Sequence, residues 1–568
     1  MRLDDSRRLT GPNLQMAGPG VIAEVCFEPS DAPEIFLKHW MAAIDQIGER
    51  LPFSLIPQEA RRYIDGVALV CAAPIDALYA AVDANEWAVH TAEARCAGLE
   101  GPSIDQVMAD ITGIYAGERS AALLALQAEA ERRELPFLWD DDEVSIGYGR
   151  FSRTWPRSVL PETSEVEWGS LRGLPVVLIT GTNGKTTTAR LVARMLQESG
   201  FVVGNSSTDG ISVNGELVDH GDWTGPGAAR AVLRHPQVEA AVLETARGGI
   251  LRRGLGVGSC DAALVTNVST DHLGEFGIFE LGEMADVKGL VYSAVGPDGY
   301  RVINLDDPYT SRFADDVSGR NILTSIDGDQ RLVEHVDAGG VAVFLDGDTL
   351  VFADGLALHE IIIVNRMPIA RGGVARHDIS NALGAVALAW SAGADLESIR
   401  FALADFGAKW DDNPGRGQLT QVDGVNVLLD FGHNPHGANA VLEMANGLRE
   451  GEGRLSVCMA QAGDRTEEDL RELARVVARF SPQRVYLRDL PQAYHRGRTP
   501  SQMARIMGEE LLGSGLDSEV VERAESEVDA LAKGLDWARP GDLLVHLVHL
   551  ERGPVEDALR GRGASLAN

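Results

Sequence analysis

A chain of 568 residues, 45% of them hydrophobic, is too long for one core and carries enough apolar sequence for several. Its 84 acidic residues against 51 basic ones leave a formal charge of −33, which argues against nucleic acid or an anionic membrane as the main partner. Cys26, Cys71, Cys96, Cys260 and Cys458 are scattered without a C-x-x-C pair, so neither a disulfide framework nor a Cys-rich zinc site is indicated and a reducing cytoplasm is expected. Met1 to Ser6 run into mixed polar sequence without an apolar leader core, and no apolar run of membrane-spanning length follows, so a soluble, non-exported chain is expected.

Residues 1 to 165 contain no phosphate-loop pattern. Ser120 to Arg133, rich in Ala, Leu and Glu, reads as a helix. The Pro- and Ser-bearing stretch Pro156 to Val166 reads as a linker, which sets a first boundary near 165.

The next stretch, Val176 to Thr188, reads VVLITGTNGKTTT. Four apolar residues predict a buried parallel strand, glycines a tight turn, and Thr187 to Gly200 a helix. Glycine lets backbone N–H groups of Gly181, Thr182, Asn183 and Gly184 face a phosphate, and the helix start favours negative charge. Lys185 adds a mobile cation, and the hydroxyl of Thr186, followed by Thr187, suits magnesium. A full P-loop would place glycine where Ile179 stands, so this is the shorter G-x-x-G-K-T form.

Between 166 and 408, apolar runs at Val176 to Thr180, Ala240 to Glu244, Ala262 to Asn267 and Arg301 to Leu305 alternate with helix-length segments, the pattern of a parallel α/β sheet. Ligands are expected at the C-terminal ends of such strands. Those ends carry Glu244, Asn267 with Asp271-His272, and Asn304 with Asp306-Asp307. Glu244 is either a magnesium ligand or a carboxylate capping the next helix, and His272, taken alone, is a structural histidine. Lys288, taken alone, is a solvated helix lysine.

Lys409 to Gly417 form a turn-rich hinge, after which strands at Val425 to Leu429, Leu455 to Met459 and Arg484 to Leu487 and a helix at Glu468 to Phe480 predict a third, Rossmann-like unit over 409–568. Its strand-end polar sets are Asp430 to Pro435 and Gly463-Asp464-Arg465.

Thr180 to Thr188, Glu244, Asp271-His272, Lys288, Asn304, His377 with Asn381, and Asp430 to Pro435 together resemble the Mur ligase family over residues 170 to 568. Ser207-Thr208-Asp209-Gly210, Gly221 to Pro226 and Leu243 to Leu251 are similar, more narrowly, to the Mur-like half of the cyanophycin synthetase family. Leu9 to Leu14 and Val144 to Gly149 are similar to the N-terminal region of that same family. The resemblance implies a multi-domain α/β chain: an α+β N-terminal domain over 1–165, a P-loop parallel-sheet central domain over 166–408, and the Rossmann-like C-terminal domain.

It also implies an ADP-forming amide or isopeptide ligase, in which a carboxylate takes the γ-phosphate of ATP and the acyl phosphate is captured by an amine. By the same resemblance Lys185 and Thr186 serve the phosphates, Glu244 and His272 hold magnesium, and Lys288 becomes carbamylated and a further metal ligand. Asn304, His377, Asn381 and Arg416 match nucleotide positions, whereas Asp430, His433, Asn434, Asp464 and Arg465 face the incoming amino acid. Thr208, Asp209, Thr224 and Arg230 lie where the acyl substrate is expected, with ordinary turn chemistry as the alternative.

Two departures matter. The ATP-grasp domain of these synthetases is absent between Tyr148 and Gly181, so one kind of bond is expected, with any second kind left to a separate ATP-grasp ligase. Where some relatives carry H-x-x-E-H, this chain has His90-Thr91-Ala92-Glu93-Ala94, and no zinc site is expected. An amino acid, with a basic one as the candidate, and an aspartyl-type carboxylate are the expected substrates, and a homo-oligomer the expected assembly. The alternatives are a folylpolyglutamate- or peptidoglycan-type amino-acid ligase and a non-catalytic ATP-binding scaffold.

Overall fold

The computed structural model describes residues 1–271, 273–316, 319–449, 451–499 and 501–566. Among them the strands build sheets of four, three, eleven and six strands. The first sheet is antiparallel, in the order Arg2–Leu9, Gly20–Cys26, Gly66–Ala72, Gln58–Tyr63, and the helices Pro33–Gly48 and Leu78–Cys96 contribute to its core. No helix is long and apolar enough to cross a membrane among the described residues.

In the eleven-stranded sheet the strand Val176–Thr180 lies between Ala240–Glu244 and Cys260–Val265, parallel to both. All five of its residues are buried. Val177 and Ile179 enter one apolar cluster and Val176 and Leu178 the other, which is why the run is continuously apolar instead of alternating. Helix α1, Lys185–Glu198, follows and starts two residues before the sequence expectation. Helices α2, Arg247–Arg253, and α3, Leu281–Gly289, carry the next site residues.

The expected parallel sheet is parallel only in its middle, from Val203–Ser207 across to Val341–Asp346. Antiparallel strands flank it at Gly210–Val213, Glu216–His220, Thr349–Asp354 and Ala357–Ile363, segments that the apolar-run reading passed over. Asn214 and Gly215, at φ 51 and 84, make the two-residue turn that returns a twisted strand on itself. Exposed Glu216–His220 carries mixed residues and so leaves no apolar signal.

The six-stranded sheet runs Gln418–Val422, Val425–Asp430, Leu543–Leu547, Leu455–Met459, Arg484–Leu487, Val521–Arg523, parallel beyond its first pairing. Under one edge lies fully buried Glu527, ion-paired with Arg488 and accepting from the backbone N–H groups of His549 (2.6 Å) and Leu550 (3.2 Å). Removing one partner strands a buried charge, whereas removing both does not. Glu527→Gln is expected to cost about 3–5 kcal/mol in urea unfolding, and Arg488→Met with Glu527→Leu to cost less than that single change; equal losses would show that a stranded charge is not what the single change costs.

Candidate active site

Strand Val176–Thr180 delivers the chain to Gly181, at φ 145, and Gly184, at φ 85. A Cβ at Gly181 would sit 1.8 Å from the Thr266 hydroxyl and one at Gly184 would sit 2.1 Å from Asn381 Oδ1, so both positions admit only glycine. The loop is tied down from its neighbours. Thr182 N donates to Asn267 O (2.9 Å), Asn183 N to Asn267 Oδ1 (3.0 Å), and Thr266 Oγ1 to Asn183 O (2.6 Å).

Gly184 caps α1 without a side chain, so the first N–H groups of that helix have no side-chain acceptor. Lys185 folds its Nζ onto the carbonyls of Gly181 (3.1 Å) and Thr182 (3.0 Å), across the concavity of the loop. This is a cradle for an anion: uncapped N–H groups, a helix dipole and a movable ammonium.

Beside it, Glu244 at the end of the adjacent strand is 2% exposed. Thr186 Oγ1 donates to Glu244 Oε2 (2.9 Å), Thr208 Oγ1 to Oε1 (3.2 Å), and the two hydroxyls lie 3.0 Å apart. Among the described residues no cation pairs with this carboxylate. A buried carboxylate flanked by hydroxyl oxygens is a donor set that suits a hard cation such as magnesium. The other reading of Glu244, a helix cap, is not what the structure shows, since α2 has no side-chain cap.

Lys288 on α3 is 4% exposed and faces the same cleft. Burial pushes its pKa down to about 7, helped by the charge of Lys185 and opposed by Asp271. The solvated-lysine reading therefore fails. His272 lies outside the described residues.

The cleft, about 1940 Å³, is walled by all three large sheets' strand ends and loops. The loop residues 181–187, Thr208, Thr224, Asn304, His377 and Asn381 line the central side. Asn304 is already engaged, donating to Thr266 O (2.8 Å). Asn381 donates to buried Asp378 (3.2 Å), and His377 stands 3.5 Å from the same carboxylate, whose pKa burial raises. From the C-terminal side come Arg416, over the Phe431 ring at 5.2 Å, Asp430, His433, Asp464 and Arg465.

Asp430 is occupied, accepting from Gly417 N and Gly432 N at 2.8 Å each. Arg465 pairs with Asp271 at 2.8 Å, and His433 stands 3.6 Å from that carboxylate, its pKa lowered by burial. Asn434 caps the helix Pro435–Leu448, and its amide and that of Asn183 are reciprocally bonded (3.2 and 2.9 Å).

Three expected substrate residues do not line the cleft: Asn434, buried as the cap of that helix, and Arg230 and Asp209. Arg230 stands 3.3 Å from Asp140 of the 137–156 sheet region, away from the cleft lining. Asp209 is held by Arg190 (2.6 Å), an arginine brought down to about 10 by burial, and does not line the cleft. Conversely Asp5, Ser6 and Arg7 of the first strand, Arg247 and Arg252 of α2, and His436 all line it without having been read from sequence. A lone arginine in an amphipathic strand carries no such signal; only the docking of that strand on α2 reveals it.

Because the folded pKa of Lys288 lies below its unfolded value, the unfolded chain binds the extra proton between about pH 7 and 10.5, and folding stability rises with pH across that window. Lys288→Met lacks this term. Its advantage over wild type is expected to be largest below pH 7 and to shrink above it, by up to about 1.4 kcal/mol per pH unit. A difference in urea unfolding that is independent of pH would show Lys288 to be charged throughout.

Residues 179–389 match the Mur ligase middle domain and residues 415–547 the Mur ligase glutamate ligase domain. A cyanophycin synthetase of Crocosphaera subtropica is 37% identical over 66% of this chain and 42% of its own length. The chain thus spans less than half the length of the cyanophycin synthetases it matches. A UDP-N-acetylmuramoyl-L-alanyl-D-glutamate–2,6-diaminopimelate ligase of Halalkalibacterium halodurans is 25% identical over 66% of this chain and 72% of that one. Among solved structures, E. coli FolC in complex with DHPP and ADP aligns at a TM-score of 0.49 and 18% identity, covering 68% of this chain and 89% of that chain. Through its middle and C-terminal parts the chain belongs to the Mur ligase family.

Proposed function

We propose that this protein is an ADP-forming carbon–nitrogen ligase that joins an amino acid to a carboxylate. One observation carries the reading: an uncapped phosphate-type helix start with Lys185, the buried Thr186–Thr208–Glu244 oxygen set, and the Asp271–Arg465 contact from the C-terminal side meet in one cleft. Phosphoryl transfer needs mainly positioning and positive charge, and this cleft supplies both.

ATP is the phosphoryl donor in this reading. The start of α1 holds its phosphates, the N–H groups of Thr182 and Asn183 being already given to Asn267, and Lys185 swings from the loop carbonyls onto them. Magnesium would be held by Thr186, Glu244 and, by the family resemblance, His272, and would neutralise charge on the transferring phosphoryl group. Lys288, buried in the wall, is suited to carbon dioxide addition because the neutral amine is the reacting form; the carbamate would supply an anionic oxygen to a cation. Thr224, bonded to Asp222 at 2.7 Å, lies on the side we assign to the carboxylate substrate, while His433, Asp464 and Arg465 lie on the side of the incoming amine. Docking of the C-terminal side shields the activated carboxyl group from water.

The likeness to cyanophycin synthetases supports an aspartyl-type carboxylate and a basic amino acid, made into an amide or isopeptide by this chain, with any second kind of bond left to a separate ATP-grasp ligase. Assembly into a homo-oligomer belongs to the same proposal.

The test is phosphate release from ATP with magnesium and bicarbonate over a matrix of amino acids and carboxylates, with mass spectrometry of products. A pair-dependent product lighter than its sum by one water is expected, and Lys185→Ala should lower kcat by roughly 10²–10³. Turnover only with folate- or peptidoglycan-type acceptors would shift the substrate to those classes. ATP binding without turnover by any pair would favour the scaffold reading.

A further inference from the structure

The loop between Asp271 and α3 is held from several directions, and one of them comes from the part of the chain that shows no match to the ligase domains. Upstream, Ser269 N donates to Thr182 Oγ1 of the phosphate loop (3.0 Å). Midway, Asp271 pairs with Arg465 of the C-terminal side. Downstream, Phe279 N and Glu280 N donate to Glu283 (2.8 and 3.1 Å), starting the helix that carries Lys288.

The residues between are poorly able to hold themselves. Gly274, Phe276 and Gly277 all lie at left-handed φ (90, 55 and 66), which for phenylalanine is strained. Within the turn, Gly274 N donates to Ile278 O (2.7 Å) and Ile278 N to Glu275 O (3.2 Å).

Helix α2 holds the loop's front through the Arg247–Glu275 ion pair and Arg252 over the Phe276 ring (5.7 Å), and the N-terminal sheet holds its back. Arg61, on its edge strand Gln58–Tyr63, donates one guanidinium nitrogen to Phe276 O and another to Gly277 O, each at 3.0 Å. The Tyr63 ring lies against Gly277, where an added Cβ would come within 2.4 Å of it, and stands 6.2 Å from the Phe279 ring. On the other side Arg7 lies over the Phe276 ring at 5.1 Å while donating to Leu251 O of α2 (3.0 Å) and pairing with Glu24 (2.9 Å). A planar fork satisfying two adjacent carbonyls fixes a backbone direction that a single donor cannot.

We infer that the N-terminal sheet is a brace for the reaction loop, with Arg61 and Tyr63 as positioning residues that hold residues 273–279 from behind and so set the aim of both Asp271 and the Lys288 helix. Neither side chain lines the cleft, so they act through the loop and not on substrate. The kinetic consequence rests on the proposed ligase reading, but the structural one does not.

The test compares full-length Arg61→Ala and Gly277→Ala with wild type, the second variant approaching the same contact from the loop side. Amide hydrogen exchange in 273–280 is expected to quicken by about tenfold or more while that of α1 is unchanged. Under saturating substrates kcat should fall by about tenfold to a hundredfold with KM for ATP within about twofold, and Arg61→Lys should restore only part. Unchanged exchange in 273–280, or an equal rise in 273–280 and α1, would overturn the inference, the latter because Arg61 would then merely support the fold. If wild type proves to have no ligase turnover, the exchange result decides the brace alone.

Discussion

A helix start can bind phosphate only while its own N–H groups stay unspent, and most of this molecule follows from that constraint. A capping Ser or Asp at position 184 would occupy those groups, and glycine there leaves them open. The price is a loop with no internal reason to keep its shape. Thr266, Asn267 and Asn381 supply that reason from neighbouring strands and from the helix Arg376–Ser391. The buried parallel strand beneath, sandwiched between two apolar clusters, makes the whole platform rigid.

Charge is organised the same way. The chain is strongly acidic overall, yet Arg7, Arg247, Arg252, Arg416 and Arg465 join Lys185 and Lys288 around one cleft. Carboxylates such as Asp271, Asp306, Asp307 and Asp464 line the same cleft, so its cations act at particular places, Lys185 at the phosphate loop foremost, and not as one positive field. Burial then lowers the pKa of one of them, Lys288. Glu244 is the counterweight, a carboxylate kept deep and satisfied by hydroxyls in place of a salt bridge.

The cleft belongs to no single unit. Asn183 and Asn434 join the phosphate loop to the C-terminal helix through paired amides, and Asp271 reaches Arg465. Contacts of this kind are polar and small, suited to an interface that opens and shuts instead of a permanent core. By contrast, the segment just after the N-terminal strand is locked to the end of α2 and the residues beyond it by backbone bonds, Thr10 N to Arg253 O (2.7 Å) and Leu255 N to Pro12 O (2.7 Å), with Gly11 so close to Leu255 that a Cβ would clash.

The chain's own order of residues determined the phosphate loop, the buried strands at Val176–Thr180, Ala240–Glu244, Leu455–Met459 and Arg484–Leu487, and the polar residues at their ends. Those are local facts, since a buried strand needs a continuous apolar run and a tight phosphate turn needs glycine. The exposed hairpin strands escaped because half-solvated sheet edges carry mixed residues without a run. Tertiary structure alone decided that Arg230 turns toward Asp140, that Asp209 belongs to Arg190, and that Arg7 reaches the cleft. It also decided the state of Lys288. A lysine's sequence neighbours say nothing of how much water surrounds its ammonium, and only the packing of α3 against the cleft wall removes that water and so weakens the hold on the proton.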